Sequence, residues 1–156
     1  MQQLDALNQV AEFHTTFKAP ILATPQLPSI TRCELRVSLL EEELKELKDA
    51  IANNDLVEIA DALCDLQYVL SGAVLEFGMG DKFVTLFNEV QRSNMSKACT
   101  TEADAIATIA YYVAKDGTKA YYKSIDDKFV VYREGDDKTL KSINYSPASL
   151  QAILNA

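Results

Sequence analysis

What this chain of 156 residues lacks excludes several chemistries at once. It has one histidine, His14, which cannot supply the Glu-x-x-His pairs of a ferritin-like dinuclear carboxylate bundle. Its three cysteines, Cys33, Cys64 and Cys99, are widely separated and fit neither a zinc nor a redox spacing. They are expected to be reduced thiols in a cytoplasmic protein, with Cys64 as helix packing. None of the five glycines belongs to a G-x-x-x-x-G-K phosphate loop. No apolar run is long enough to span a bilayer. The opening Met-Gln-Gln-Leu-Asp lacks the basic-then-apolar pattern of a secretory signal. Basic residues are in deficit, 15 against 23 acidic, for a net charge of −8. That disfavours duplex nucleic acid, whose phosphates need a basic face. It leaves a small phosphorylated ligand open, because divalent cations can reverse the local sign.

Hydrophobic residues make up 48% of the chain, enough for one globular domain with a core. Apolar spacing predicts a first helix over residues 4–17. Pro20, Pro25 and Pro28 force a loop after it. Thr31 with Glu34 reads as a capping box opening a second helix from about Arg32 to Ala52. Asn53-Asn54-Asp55 breaks it, a third helix follows from Leu56 to Phe77, and Gly78 and Gly80 end that one. A shorter helix is predicted over 81–93 and another over 102–114. Residues 120–125 and 128–133 read as strands joined at Asp126-Asp127. Ser146-Pro147 suits the start of a short terminal helix. Residues 1–97 are therefore expected to form the all-α core, and 98–156 a small appendage of helix, hairpin and short terminal helix in the same domain.

The second and third helices carry acids where apolar residues belong. On the second, Leu35, Leu39, Leu40, Leu44, Leu47 and Ile51 define one apolar arc. Glu43 falls near its middle, Glu46 inside one edge and Glu42 just beyond that edge, whereas Glu41 lies on the solvated side. The third helix is apolar on nearly all sides, as buried helices are. Yet Glu58, Asp61 and Asp65 share one stripe of it, at i, i+3 and i+7. The solvated-face reading of Glu41–Glu43 is the ordinary one for such a run. Glu58 could instead be a capping residue partnered with Asp55, and a buried carboxylate could pair with Arg36 or Arg92. Against these stands the coincidence of two neighbouring helices placing acids on their apolar sides. No lysine or arginine is placed by the wheel on the inner faces, and uncompensated buried carboxylates cost several kcal/mol each. A divalent cation is the simplest compensation, and all-oxygen ligands point to Mg²⁺ or Mn²⁺.

Glu42-Glu43-Leu44-Lys45-Glu46 matches an E-E-x-x-E motif, and Glu58-Ile59-Ala60-Asp61 follows as E-x-x-D. Together they resemble the signature of the MazG-type all-α nucleoside triphosphate pyrophosphohydrolases, a superfamily that includes phosphoribosyl-ATP pyrophosphohydrolase. Val10–His14, Arg92–Lys97 and Leu140–Pro147 extend the resemblance, although related chains often carry Lys-Gly-Pro-Asn-Tyr where this one has Lys141-Ser142-Ile143-Asn144-Tyr145. The segment from about Thr100 to Ile125 is less typical.

The resemblance implies Mg²⁺-dependent hydrolysis of a nucleoside triphosphate to the monophosphate and pyrophosphate, with phosphoribosyl-ATP as the alternative substrate. By motif it makes Glu43, Glu46, Glu58 and Asp61 the metal ligands and Glu42 the group that activates or orients water. His14, Asp65, Asn94 and Lys97 are candidates for contacting substrate; a lone histidine beside apolar residues is more often structural. The expected architecture is a four-helix-bundle core, completed by a second copy of the chain, with a small α+β appendage containing a β-hairpin. A homodimer or higher oligomer is expected, with no membrane partner. A non-catalytic helical metal-binding or interaction module is the competing class; it leaves the acid stripe unexplained.

Overall fold

The computed structural model describes residues 4–156; residues 1–3, part of the stretch read for a secretory signal, lie outside the described residues. The chain is mainly helical with one small antiparallel hairpin near its C-terminus. It divides into two compact units, one ending at Phe83 and the other running Val84–Ala156.

The first unit contains α1 (Ala6–Phe17), α2 (Ile30–Ala52) and α3 (Leu56–Glu76). Asn54 takes a left-handed conformation (φ 53) in the three-residue break between α2 and α3. The Asp55 carboxylate then accepts from the backbone N–H groups of Val57 and Glu58, at 3.0 and 3.1 Å, and caps α3. So short a connection makes α2 and α3 an antiparallel pair. Gly78 ends α3 with φ +68, and a Cβ there would lie 1.9 Å from the Thr24 carbonyl oxygen. That close approach lets the proline-bearing loop cross the helix end, where Leu22 N–H donates to Leu75 and Gln26 N–H to Phe77. Val10, Ala50, Ala62, Val74 and Leu75 form the buried interior.

The second unit contains α4 (Phe83–Met95), α5 (Glu102–Asp116), β1 (Ala120–Ile125), β2 (Lys128–Arg133) and α6 (Leu150–Asn155). Thr101 caps α5 by accepting from Asp104 N–H at 3.1 Å. Gly117, left-handed at φ 73, closes the helix. The hairpin pairs Ile125 with Lys128 at its tip, around a left-handed Asp126 (φ 52). Cys99, Ala105, Val131 and Leu140 form its core, with Tyr112, Tyr122 and Phe129 packed against it.

Three sequence expectations need correction. The second helix opens at Ile30 after Ser29, and no side chain caps it. Thr31 lies inside the first turn, its hydroxyl engaged with that of Ser29 at 3.1 Å. The terminal helix starts at Leu150, since Ser146 is tied through its N–H to the Ser96 hydroxyl at 2.9 Å. Cys64, expected as helix packing, is exposed; Leu56 and Val57 of α3 are 77% and 75% exposed, on the helix for which a second copy was expected as cover. Phe13, Phe17 and Tyr68 form a partly exposed aromatic group, with Phe13 4.4 Å from Phe17 and 5.6 Å from Tyr68 between centroids.

Candidate carboxylate site

The antiparallel α2–α3 pair sets two groups of acids against each other. Glu43 is half-buried, and its Oε2 is buried without a hydrogen-bond partner. Burial pushes its carboxyl above the ordinary value, and the charges of Asp65, Glu46, Glu42 and Asp61 push it the same way. Four of the sequence-nominated acids thus act on a fifth. Asp65 is half-buried, while Glu42, Glu46 and Asp61 are exposed. Glu42 and Glu46 also line a shallow hollow on the outer face of α2 with Ser38, Glu41 and Lys45.

Glu58 is not among the groups acting on Glu43. It is exposed at the first turn of α3, where its N–H is held by Asp55. Among the described residues, no three histidine, cysteine, aspartate or glutamate side chains converge tightly enough to cage a metal ion. Four carboxylates act on Glu43, and its orphaned buried oxygen is what a hard cation would satisfy. By donor chemistry alone, carboxylate oxygens of this kind fit a hard cation such as Mg²⁺ or Mn²⁺.

The other nominated residues lie elsewhere. His14 is 2% exposed, and both its ring nitrogens are occupied. Nδ1 donates to the Pro20 carbonyl at 2.8 Å, which leaves Nε2 to accept from Arg36 at 3.3 Å. Asn94 and Lys97 are in the C-terminal unit, where Lys97 Nζ donates to Asn94 Oδ1 at 2.8 Å.

The wheel reading missed a second acidic feature and misplaced two arginines. Glu76, fully buried at the end of α3, receives hydrogen bonds from both Arg32 and Arg36. These arginines do face inward from α2, contrary to the sequence reading of that helix. Burial pushes the Glu76 carboxyl up, but the two arginine hydrogen bonds and charges together outweigh it and hold it below the usual value. Gly72 makes room for the pair, since a Cβ there would meet Arg36 Nη1 at 2.6 Å and His14 Nε2 at 3.0 Å. The available signals were a mid-helix glycine and arginines spaced i, i+4. The other forecast arginine, Arg92, pairs with Glu89 on α4, and Glu89 is pulled down to about 2 by that pairing and by Ser149 N–H.

An all-helical core with paired acidic motifs on an antiparallel helix pair defines the all-α nucleotide pyrophosphohydrolases as the class. Within it, residues 10–94 match the family model of phosphoribosyl-ATP pyrophosphohydrolase, more than half of the chain, and the chain belongs to that family. The family's function is of the pyrophosphohydrolase type. The chain is also similar to an uncharacterised protein, L479, of Acanthamoeba polyphaga mimivirus, at 38% identity over 74 residues. That stretch is 45% of this chain and 30% of the relative, so the chain spans under a third of that relative's length.

Proposed function

We propose that the protein is a Mg²⁺-dependent nucleoside triphosphate pyrophosphohydrolase, cleaving the α–β anhydride with water to give the monophosphate and pyrophosphate. The observation that carries the reading is the orphaned Glu43 oxygen amid four further carboxylates. Glu43, Glu46, Glu58 and Asp61 would hold the cation, with Mn²⁺ as a substitute. When bound, it supplies charge neutralisation for the phosphate oxygens. Glu42, exposed at the edge of the group, accepts the proton of the attacking water. Asp65, whose charge bears on Glu43, is a candidate contact to the substrate.

An apolar recess of about 460 Å³ between α1 and α3, lined by Leu63, Cys64, Gln67 and Tyr68, lies one to two turns along α3 from Asp61 and offers space for a nucleoside. Phosphoribosyl-ATP is the second reading, favoured by the family match. It carries the same triphosphate and uses the same chemistry. A second copy of the chain is the natural cover for the exposed Leu56, Val57, Leu63 and Leu70.

The test is a panel of ribo- and deoxyribonucleoside triphosphates and phosphoribosyl-ATP with millimolar Mg²⁺, reading pyrophosphate. Release from at least one of them, abolished by EDTA and restored by Mg²⁺ or Mn²⁺, is expected. Turnover that survives EDTA would overturn the metal assignment, and a silent panel the hydrolytic one.

A further inference from the structure

The C-terminal unit gathers lysines onto tyrosine rings. Tyr111 and Tyr112 sit near the end of α5 with their rings edge to face, 5.2 Å between centroids. Lys115, one turn on, holds its Nζ 5.8 and 5.7 Å from the two centroids. The segment after β2 brings Lys141 and Tyr145 to the same place. Lys141 N–H donates to the Tyr112 hydroxyl at 3.3 Å, and its Nζ lies 4.3 Å over the Tyr145 ring. Together with Ser142 and Ile143, these side chains line an open cavity of about 380 Å³, within the size range of small-ligand sites.

Among the described residues, neither Lys115 nor Lys141 forms an ion pair with a carboxylate. A lysine resting on a ring face still presents ammonium protons outward, so both charges remain available to a ligand. The recess is electropositive. Ser93 donates to the Tyr145 hydroxyl at 3.0 Å, and this bond, with the charges of Lys141 and Lys97, holds that hydroxyl below its ordinary pKa against burial. Tyr111 is 51% exposed.

Aromatic faces beside two ammonium groups that form no ion pair among the described residues suit a ligand that combines a planar ring with a phosphate. Two lysines match a phosphate monoester of charge about −2, whereas a triphosphate carries more charge than they neutralise. We propose that this pocket binds a nucleoside monophosphate without metal, the base on Tyr111 and the phosphate between Lys115 and Lys141. The pocket lies outside residues 10–94, and its composition owes nothing to the carboxylates of α2 and α3. In a pyrophosphohydrolase it would register the nucleotide product.

Calorimetric titration of AMP, CMP, GMP and UMP into the full chain in EDTA tests the proposal. One site per chain is expected for at least one of them, retained in Asp61→Asn. Inorganic phosphate and the free nucleoside should each bind more weakly by about tenfold or more, and Lys115→Gln with Lys141→Gln should weaken the monophosphate similarly, as loss of charge-assisted hydrogen bonds demands. Both lysines are exposed, so the double variant keeps its core. Tyr111→Ala, with Lys115 and Lys141 intact, should bring the monophosphate down to the affinity of phosphate alone. The proposal is overturned if all four monophosphates fail to bind in EDTA, if the lysine double variant binds like wild type, or if phosphate binds as tightly as the nucleotides. It would then stand or fall apart from hydrolysis, which is read by pyrophosphate.

Discussion

Glu43 and Glu76 are the same side chain on neighbouring helices of one unit, and the protein treats them in opposite ways. Glu76 is fully buried, yet Arg32 and Arg36 bond to it and hold its carboxyl down. Glu43 keeps an oxygen buried without a partner, and its neighbours are four more acids that push it up. Eleven residues, or ~16 Å of helix, separate Asp65 in the second setting from Glu76 in the first. The fold can place arginine against a buried carboxylate and does so at one end of α3. Leaving the other end uncompensated is therefore a property of that end, and a cation from outside the chain is the compensation proposed for it. Charge along the sequence points the same way. Residues 1–83 carry six basic against fourteen acidic residues, and residues 84–156 nine against nine, so the whole excess of −8 belongs to the unit with the acid cluster.

The comparison breaks most sharply in activity. Glu46→Gln and Asp61→Asn are expected to reduce pyrophosphate release to background while circular dichroism stays that of the folded chain. Near-wild-type rates in either would remove these residues from the ligand set. Glu42→Gln should be milder, losing turnover by about 10²–10⁴-fold as a proton acceptor does, with Mn²⁺ affinity unchanged by calorimetry. If it loses metal affinity as Glu43→Gln does, Glu42 is another ligand and the base lies elsewhere. Arg32, Arg36 and Glu76 lie at the opposite end of α3 and should not enter these rates except through stability.

Stability tests the other end. Glu76→Ala leaves a buried Arg36 without its carboxylate, and breaking such a pair costs about 3–5 kcal/mol. Urea unfolding should show that loss. Asp49→Ala, which breaks the exposed Lys45–Asp49 pair, should leave the midpoint where it was. A midpoint equally unmoved in Glu76→Ala would mean that the arginines are solvated and the contrast with Glu43 is empty.

Much of this was legible in the sequence, for local reasons. The turn at 53–55 and the hairpin tip at Asp126-Asp127 follow from residue types that tolerate left-handed backbone, and both are where spacing predicts. Glu43 was identifiable because helical period alone puts it on the apolar side. What stayed hidden depends on partners distant in sequence. Glu76 meets Arg36 across 40 positions, through the register of an antiparallel pair that no wheel of a single helix contains. Ser146 looked like a cap, but Ser96 takes its N–H, and Arg92 takes the Pro147 carbonyl at 2.9 Å. His14 was a candidate substrate contact through the family resemblance, while its apolar neighbours favoured a structural role; the proline-bearing loop and Arg36 occupy both its nitrogens.

The smallest expected effect is the most direct test of the comparison. The folded Glu43 carboxyl titrates above its unfolded value of about 4.3, so the native state binds a proton there that the unfolded state has released. Native stability from this group therefore rises as pH falls from neutral through the folded value, and levels off below the unfolded one. Glu76 runs the other way. Its folded value is depressed, so its contribution is present above about 4.3 and is lost as pH falls through the depressed value. Glu43→Gln removes the group that resents its charge. In EDTA near neutral pH the variant should melt above wild type, and the gap should narrow as pH falls toward the ordinary carboxylate range and wild-type Glu43 takes up its proton. Millimolar Mg²⁺ should invert the order, because a ligand that binds only the native state stabilises wild type by mass action and the variant has lost part of the site. A variant that melts below wild type in EDTA would show that the ionised Glu43 is welcome where it stands. A gap that ignores both pH and Mg²⁺ would trace the difference to packing and not to charge.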